Sequence, residues 1–155
     1  MSNGLSEFDP QCVILHSYRI VKAEIDTPLD YTGYEQGEYS YKVHFESAFR
    51  LDDNWMRTML EVEVELPSEN LEEKGAKAYF QIIFYFEVLN LEDLVTLKKK
   101  KPPLIDENLH ISLASVTYST SRGILMTRLE NTALKGFFLP IISPSTLINT
   151  SPIRL

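Results

Sequence analysis

The chain has 155 residues, enough for one domain with a substantial core, and 44% of them are hydrophobic, which argues against wholesale disorder. Acidic side chains outnumber basic ones 22 to 15, for a formal net charge of -7, and nucleic-acid binding is not expected because an acidic domain repels phosphate backbones. The single cysteine, Cys12, cannot close an intrachain disulfide, the N-terminus shows no signal-peptide pattern, and no apolar stretch is long enough to span a bilayer. We therefore expect a single cytoplasmic domain over residues 1–155, with a flexible N-terminus at 1–10, a flexible tail at 145–155 and no membrane insertion.

Four stretches predict β-strands, at residues 12–25, 39–49, 60–66 and 78–89. The second and third alternate apolar with polar side chains, the period of two that a half-buried strand needs. The fourth differs, because it carries phenylalanines on one face and tyrosines on the other. A strand that is apolar on both faces usually has a cover on each. We expect a helix of the same chain on one face and another subunit or a bound partner on the other.

The connecting segments predict a meander and then a short helix. Loops that contain Pro and Gly lie at 28–38 and 67–75. Asn90 is predicted to cap a short helix that runs through Leu97. The tetralysine 98–101 is interpreted as the solvated end of that helix rather than as a nucleic-acid or lipid patch, since cations favour a helix C-terminus.

A long helix is predicted over residues 108–134, where apolar residues recur at spacings of three, four and seven. Gly136 supplies the expected C-cap, and the prolines of the apolar tail 137–155 exclude regular helix there. Arg122 falls on the apolar stripe and Gly123 lies beside it, in mid-helix, where Gly costs about 1 kcal/mol relative to Ala.

Gly123 is either a tolerated imperfection or the mark of a close helix–helix crossing. We favour the crossing, because the fourth strand already needs a partner. The sequence therefore predicts an oligomer interface on this face of the helix, formed by Tyr118, Arg122, Gly123 and Met126.

Residue patterns that carry chemistry are scarce. His16, His44 and His110 do not lie at metal-ligand spacing with one another or with Cys12, although His16 and His44 could face each other across two strands. The glycines form no phosphate-binding loop, and the glutamates of the third strand are interpreted as a solvated face. We therefore predict no catalytic residue, no metal and no cofactor, and a protein that is not an enzyme.

Aromatic side chains are the most informative feature of the composition, with eight Tyr and eight Phe. Outside the fourth strand they gather in a loop, as Tyr31, Tyr34 and Tyr39, and after the long helix, as Phe137 and Phe138. Tyr combines apolar area with a polar tip, which suits contacts that are strong without being sequence-specific. Core packing and binding remain equally good interpretations of both groups.

The order of these elements resembles that of the SecB family of export chaperones, over nearly the whole chain beyond the N-terminus. The segment TSRGILMTRLENTALKGFFLPIISP is similar to the family's long helix, which ends at a Gly-x-Phe and is followed by an apolar segment with prolines. Here those residues are Gly136, Phe138, Pro140 and Pro144. The segment VKAEIDTPLDY is similar to the end of the family's first strand, with Pro28 opening the crossover loop.

The resemblance implies an α+β fold in which a long C-terminal helix packs on a four-stranded antiparallel sheet. It also implies an ATP-independent holdase that binds unfolded polypeptide clients, in protein export or antitoxin protection, and assembles as a homotetramer, a dimer of dimers. The client-binding residues that it implies lie in the crossover loop and after the long helix: Tyr31, Tyr34, Tyr39, Phe137, Phe138, Ile141, Ile142 and Leu147.

In the SecB family, an acidic contact on the outer face of the sheet docks the translocase motor SecA. Such docking is not implied for this chain, because its residues depart from the family's pattern at that contact. Asp26 matches the family's pattern, whereas Lys22, Lys77 and Tyr79 do not. Two other functions remain open. A small-ligand carrier would enclose an apolar cavity between helix and sheet, and a purely structural subunit would use the fourth strand for assembly alone.

Overall fold

A four-stranded antiparallel sheet with one long helix on its inner face forms the frame of the chain. The structure, a computed structural model, describes residues 7–30, 38–68, 74–149 and 153–154. The strands are β1 (Val13–Asp26), β2 (Ser40–Arg50), β3 (Trp55–Leu66), β4 (Ala76–Val88), the short β5 (Val95–Thr96) and β6 (Leu104–Ile105), and β7 (Ile153–Arg154). The helices are α1 (Leu91–Leu94), α2 (Glu107–Leu129) and α3 (Pro144–Ile148), and 3-10 turns occupy Pro10–Cys12 and Leu51–Asp53.

The main sheet has the order β1-β4-β3-β2-β7. The strands β2, β3 and β4 form the predicted meander, whereas β1 pairs with β4, from Val13 opposite Val88 to Asp26 opposite Lys77. The two residues of β7 extend the sheet in parallel beside β2. The predicted fold class, a four-stranded antiparallel sheet with a long helix, is confirmed.

The core lies between the inner face of the sheet and α2. Alternate residues of β3 and β4 point to this side and are buried, and Leu109, Leu113 and Leu125 of α2 meet them. β3 begins before the predicted start at Leu60, because Met56 continues the same buried row. The largest fully buried side chains of the sheet are Phe45, Met56, Leu60, Leu66, Phe80, Ile82, Phe84 and Phe86.

Side chains cap both ends of α2. At its start, Asp106 Oδ1 accepts a hydrogen bond from the backbone N–H of Leu109 at 3.1 Å. At its end, the backbone N–H and the hydroxyl of Thr132 both donate to the carbonyl of Leu129, at 3.1 and 2.8 Å. The sequence predicted a helix to residue 134 with Gly136 as its C-cap, and this prediction is wrong. The helix ends at Leu129, because Thr132 satisfies a terminal carbonyl there and the chain turns.

α1 ends at Leu94, so the predicted short helix through Leu97 is wrong. Val95 and Thr96 are β-branched, which favours extended backbone, and they pair with β6 as a small hairpin. The tetralysine 98–101 lies exposed in the connection between β5 and β6, so its interpretation as a helix end is also wrong.

The tail contains a short helix, α3, which packs against α2. Pro144 occupies its first turn, where the missing N–H removes no intrahelical bond and the fixed φ suits a helix. Leu147 of α3 is buried. The prediction that prolines exclude regular helix from the whole tail is therefore wrong for Pro144–Ile148. None of the described helices has the length and apolar character needed to cross a membrane.

A polar seam runs through the core between α2 and the sheet. His110 Nε2 and Ser47 Oγ share a hydrogen bond of 2.9 Å, and the hydroxyls of Thr58 and Thr117 share another. All four side chains are buried. Burial lowers the pKa of His110 from 6.5 to about 4, so the imidazole is neutral at physiological pH.

The stability of the fold is expected to fall as the pH drops from 6.5 towards 4. Across this window the unfolded chain takes up a proton at His110 more readily than the folded chain, so the free energy of unfolding rises with pH. The difference in pKa makes this contribution roughly 3 kcal/mol at most. We expect His110→Gln to flatten the pH dependence of the free energy of unfolding, measured by denaturant titration with circular dichroism.

The matched control is His44→Gln, because His44 is exposed on β2. This control is expected to keep the pH dependence of the wild-type chain. A slope that stayed unchanged in His110→Gln would contradict the role given to the buried imidazole.

Candidate functional site

An aromatic cluster joins the end of the crossover loop to the segment that follows α2. The ring centroid of Phe137 lies 5.6 Å from that of Tyr39, just before β2, and 5.6 Å from that of Tyr41, within β2. Tilted pairs at this distance are favourable beyond the area that they bury. Tyr39, Tyr41 and Phe137 form the aromatic cluster, and the structure thus brings together two of the regions that the sequence predicted to act jointly.

A glycine permits the close approach of Tyr39. Burial raises the pKa of Tyr39, and a hydrogen bond with the backbone of Gly136 offsets part of that rise. A Cβ atom added at Gly136 would lie 2.9 Å from the Tyr39 hydroxyl, closer than real contacts allow. Gly136 therefore leaves room for the Tyr39 hydroxyl and is not the predicted helix cap.

A second tyrosine ties the post-helix segment, residues 137–143, to α2. The hydroxyl of Tyr118 donates a hydrogen bond of 2.6 Å to the carbonyl of Pro140. Burial raises the pKa of Tyr118, which keeps this donor protonated. The anchored segment then runs into α3, whose Leu147 is buried. The post-helix segment is therefore held against the body of the chain although it contains no regular structure.

The anchored segment nevertheless exposes large apolar side chains. Phe138 is 53% exposed and Ile141 is 85% exposed, whereas Phe137 is buried within the aromatic cluster. Ile142 is half-buried. Of the other predicted client-binding residues, Tyr39 is half-buried, and Tyr31 and Tyr34 lie outside the described residues. The candidate site is accordingly the aromatic cluster with the exposed side chains of the post-helix segment beside it.

The residues of the predicted oligomer interface lie along α2 with different exposures. Tyr118 is buried within the chain, Arg122 is half-buried, and Met126 is 46% exposed. Apart from the adjacent residues and the backbone of α2 itself, no described atom lies within 4 Å of the position that a Cβ would take at Gly123, so the space in front of this glycine is open. The crossing partner predicted at Gly123 is not an element of the described chain, and the interface stays a prediction.

Sequence reasoning missed the exposure of β1. This strand forms one edge of the main sheet, and almost all of its side chains are exposed. Leu15, Tyr18 and Ile25 lie on the inner side of the sheet beyond the reach of α2 and remain exposed. Irregular pairing with β4 after Leu15 and again after Ile20 breaks the alternation, so the Val- and Ile-rich sequence did not reveal which side chains share a face.

The polar residues that the sequence singled out do not converge. The prediction that His16 and His44 could face each other is wrong, because β4 and β3 separate their strands. His16 instead contacts Glu87, at 2.7 Å, and His44 contacts Glu46, at 3.1 Å. Within the described part of the chain, no group of three or more His, Cys, Asp and Glu side chains is placed to hold a metal ion.

Comparison with known proteins finds similarity of structure alone. No protein-family model matches the chain, and no curated protein matches its sequence. The chain is similar to the Rv1957 SecB-like chaperone of Mycobacterium tuberculosis, solved in complex with a ChAD peptide from the Rv1956 HigA1 antitoxin. The TM-score is 0.56 and the identity 12%, over 86% of this chain and 89% of that one. The fold of this chain is SecB-like.

A protein of unknown function from Streptococcus agalactiae also aligns, over 83% of this chain and 97% of that one, with 13% identity and a TM-score of 0.33. The SecB-like fold confirms the architecture that the sequence resemblance implied. In this architecture, the crossover loop reaches β2 at Tyr39, next to the post-helix segment at Phe137.

Removal of the Tyr39 hydroxyl is expected to loosen the join between the crossover loop and the post-helix segment. Tyr39→Phe keeps the ring and loses the hydrogen bond with the backbone of Gly136, so the free energy of unfolding should fall by about 1 kcal/mol. Denaturant titration measures the change.

Tyr41→Phe is the matched control, because its ring contacts the same Phe137 while its hydroxyl makes no hydrogen bond with a described residue. The control should unfold like the wild-type chain. Equal stability of the two variants would show that the Tyr39 hydroxyl does not anchor the loop.

Proposed function

We propose that this protein is an ATP-independent holdase that binds non-native polypeptides on the aromatic cluster and the post-helix segment. The observation that carries the proposal is the exposure of Phe138 and Ile141 on a segment that Tyr118 and Tyr39 hold in place. A soluble protein rarely leaves adjoining large apolar side chains in water unless a partner covers them. An extended client can lay its own apolar side chains on such a surface without a fixed sequence.

The fold supports a polypeptide as the class of ligand. The Rv1957 SecB-like chaperone, which shares the fold, was solved with a peptide from an antitoxin. For this chain we propose unfolded clients in the cytoplasm, in protein export or antitoxin protection, and binding without catalysis or a cofactor. The lack of a phosphate-binding loop in the sequence supports the independence from nucleotide in this proposal.

The alternative function of a small-ligand carrier is less well supported. Such a carrier needs an apolar cavity between α2 and the sheet. The side chains of Phe80, Phe84 and Phe86 are fully buried in that space, together with Leu109 and Leu113 of the helix. Close-packed side chains leave no room for a ligand of their own size unless the core opens.

Self-assembly forms the second part of the proposal, with a dimer of dimers as the expected form. The exposed face of α2 offers Val116, Gly123 and Met126, which lie on one side of a helix by their spacing. The edge strand β1 offers a second surface, since its 14 residues leave one row of backbone groups without a partner strand among the described residues. A second copy that paired along this edge would satisfy those groups and cover Tyr18.

Loss of exposed apolar area on the post-helix segment is expected to weaken client binding. The double variant Phe138→Ser with Ile141→Ser removes two large side chains that contact the client, and about tenfold more protein should be needed to suppress aggregation. The measurement is light scattering of a denatured model enzyme diluted from guanidinium chloride, without nucleotide.

The matched control is Leu97→Ser with Leu104→Ser, which removes similar exposed area from the hairpin of β5 and β6. The control should suppress aggregation like the wild-type chain, and both variants should keep the wild-type molar mass. Full suppression by the Phe138 and Ile141 variant would contradict the assigned site. Equal loss in both variants would show that binding is spread over the whole apolar surface.

A methyl group at Gly123 is expected to weaken self-assembly while it favours the helix itself. Gly123→Ala gains about 1 kcal/mol of helix propensity, and no described atom stands in the way of the methyl group. If a second copy crosses α2 at this point, the methyl group pushes it away, and the molar mass from light scattering at fixed concentration falls.

Ser119→Ala is the matched control, because it changes the same exposed face of α2 and adds no atom. This control should keep the mass of the wild-type assembly. An unaltered mass for Gly123→Ala would place the self-assembly surface elsewhere, with β1 as the remaining candidate.

A further inference from the structure

The outer face of the sheet, opposite α2, is divided into two chemically different halves. Strand register sets its rows across β1, β4, β3 and β2. Towards one end the rows carry mainly aromatic, apolar and arginine side chains, and towards the other they carry four acids with two lysines. The rows of the first half are Ser17–Tyr85–Arg57–Ala48 and Arg19–Ile83–Met59–Glu46, and those of the second are Glu24–Tyr79–Glu63–Lys42 and Asp26–Lys77–Glu65–Ser40.

The first half contains an open groove of about 530 Å³. Trp55 and Tyr85 supply aromatic walls, and Arg57 lies at the rim with its side chain exposed. Tyr85 and Ile83 are only half-buried, whereas their inner-face neighbours Phe84 and Phe86 are fully buried. The sequence predicted a cover on each face of the fourth strand. The described chain covers the inner face with α2 and leaves the outer face without a cover.

Of the two arginines that line this groove, Arg50 is paired with an acid and Arg57 is not paired with any described carboxylate. The acid Asp53 is engaged by Arg50 at 2.7 Å. Glu87 is engaged by His16 at 2.7 Å, and the His16 ring lies 4.9 Å from that of Trp55. No carboxylate in the described part of the chain forms an ion pair with Arg57. The groove therefore offers aromatic surface beside a guanidinium that can take a carboxylate in a two-point contact.

We propose that this groove docks a short acidic peptide segment of a partner protein. An aromatic or other apolar side chain of that segment lies between Trp55 and Tyr85, and an adjacent carboxylate binds Arg57. Trp, Tyr and Arg are the residue types that dominate the binding energy of protein interfaces. This surface lies on the face opposite the core and α2, so the inference does not depend on the proposed client-binding site.

A second copy of the chain fits the groove less well than a peptide. Charge alone would allow two outer faces to stack head to tail, with the arginine half of one over the acidic half of the other. The acidic half, however, itself contains a groove of about 610 Å³, which is lined by Glu24, Asp26 and Glu63 together with Lys22 and Lys77. Stacking of two outer faces would place one groove opposite another and leave both unfilled. A peptide side chain is convex and fills a single groove.

The test uses the intrinsic fluorescence of Trp55, since this is the one tryptophan of the chain. The probe is a short peptide, blocked at both ends, in which phenylalanine alternates with glutamate, compared with peptides in which glutamine or lysine replaces glutamate. The glutamate peptide should give a saturable change in fluorescence, with affinity about tenfold above that of the glutamine peptide. The lysine peptide should give no saturable change.

Arg57→Gln should weaken binding of the glutamate peptide about tenfold and leave the glutamine peptide unaffected. Arg128→Gln, at the exposed end of α2, is the matched control and should bind like the wild-type chain. The Phe138 and Ile141 double variant should also bind the glutamate peptide normally, which separates this surface from the client-binding site.

Three results would overturn the proposal. In the first, the lysine peptide binds as tightly as the glutamate peptide, or Arg57→Gln binds like the wild-type chain. In the second, the Phe138 and Ile141 variant loses the glutamate peptide, which would place the peptide on the post-helix segment. In the third, the fluorescence responds to dilution of the protein and to no peptide, which would show that a second copy covers the groove.

Discussion

The packing of α2 against the inner face of β3 and β4 is the interaction on which the other features of the molecule depend. One helix is narrower than a four-stranded sheet, so it covers the middle of the sheet and leaves the edge strand β1 and the whole outer face without a cover from the described chain. It also brings its C-terminal end, and the post-helix segment after it, beside the start of β2 at Tyr39. The surfaces available for partners are therefore consequences of how much sheet one helix can bury.

The polar seam determines where that helix lies along the sheet. A purely apolar interface would tolerate sliding of α2, because apolar contacts are not directional. The hydrogen bonds of His110 to Ser47 and of Thr117 to Thr58 join fixed positions, and a shift by one turn would leave four buried polar groups without partners. The register of the helix in turn fixes the position of Tyr118, whose hydroxyl anchors the post-helix segment at Pro140.

The sequence was sufficient to predict the four long strands and the long helix. Their signals, alternation and helical spacing of apolar residues, are local patterns that follow from burial of one face. It did not predict the end of α2, which a single hydroxyl at Thr132 decides against the propensity of the residues that follow. Nor did it predict the separation of His16 from His44, since pairing of β1 with β4 is set by a crossover that no local pattern encodes. At the candidate site, composition identified Tyr39 and Phe137, but their contact depends on Gly136, whose missing side chain admits the tyrosine.

The two sides of the sheet are suited to different kinds of partner. On the side of α2, the post-helix segment presents the apolar side chains of Phe138 and Ile141, which favours breadth of binding over selectivity. On the outer face, the exposed Arg57 lines the same groove as Trp55 and Tyr85, and its charge favours partners that supply a carboxylate. The two proposals, broad client binding on one face and a selective partner on the other, both rest on this asymmetry. Because β4 contributes alternate residues to the core and to the outer face, a change of its register would disrupt the packing under α2 and the outer groove together.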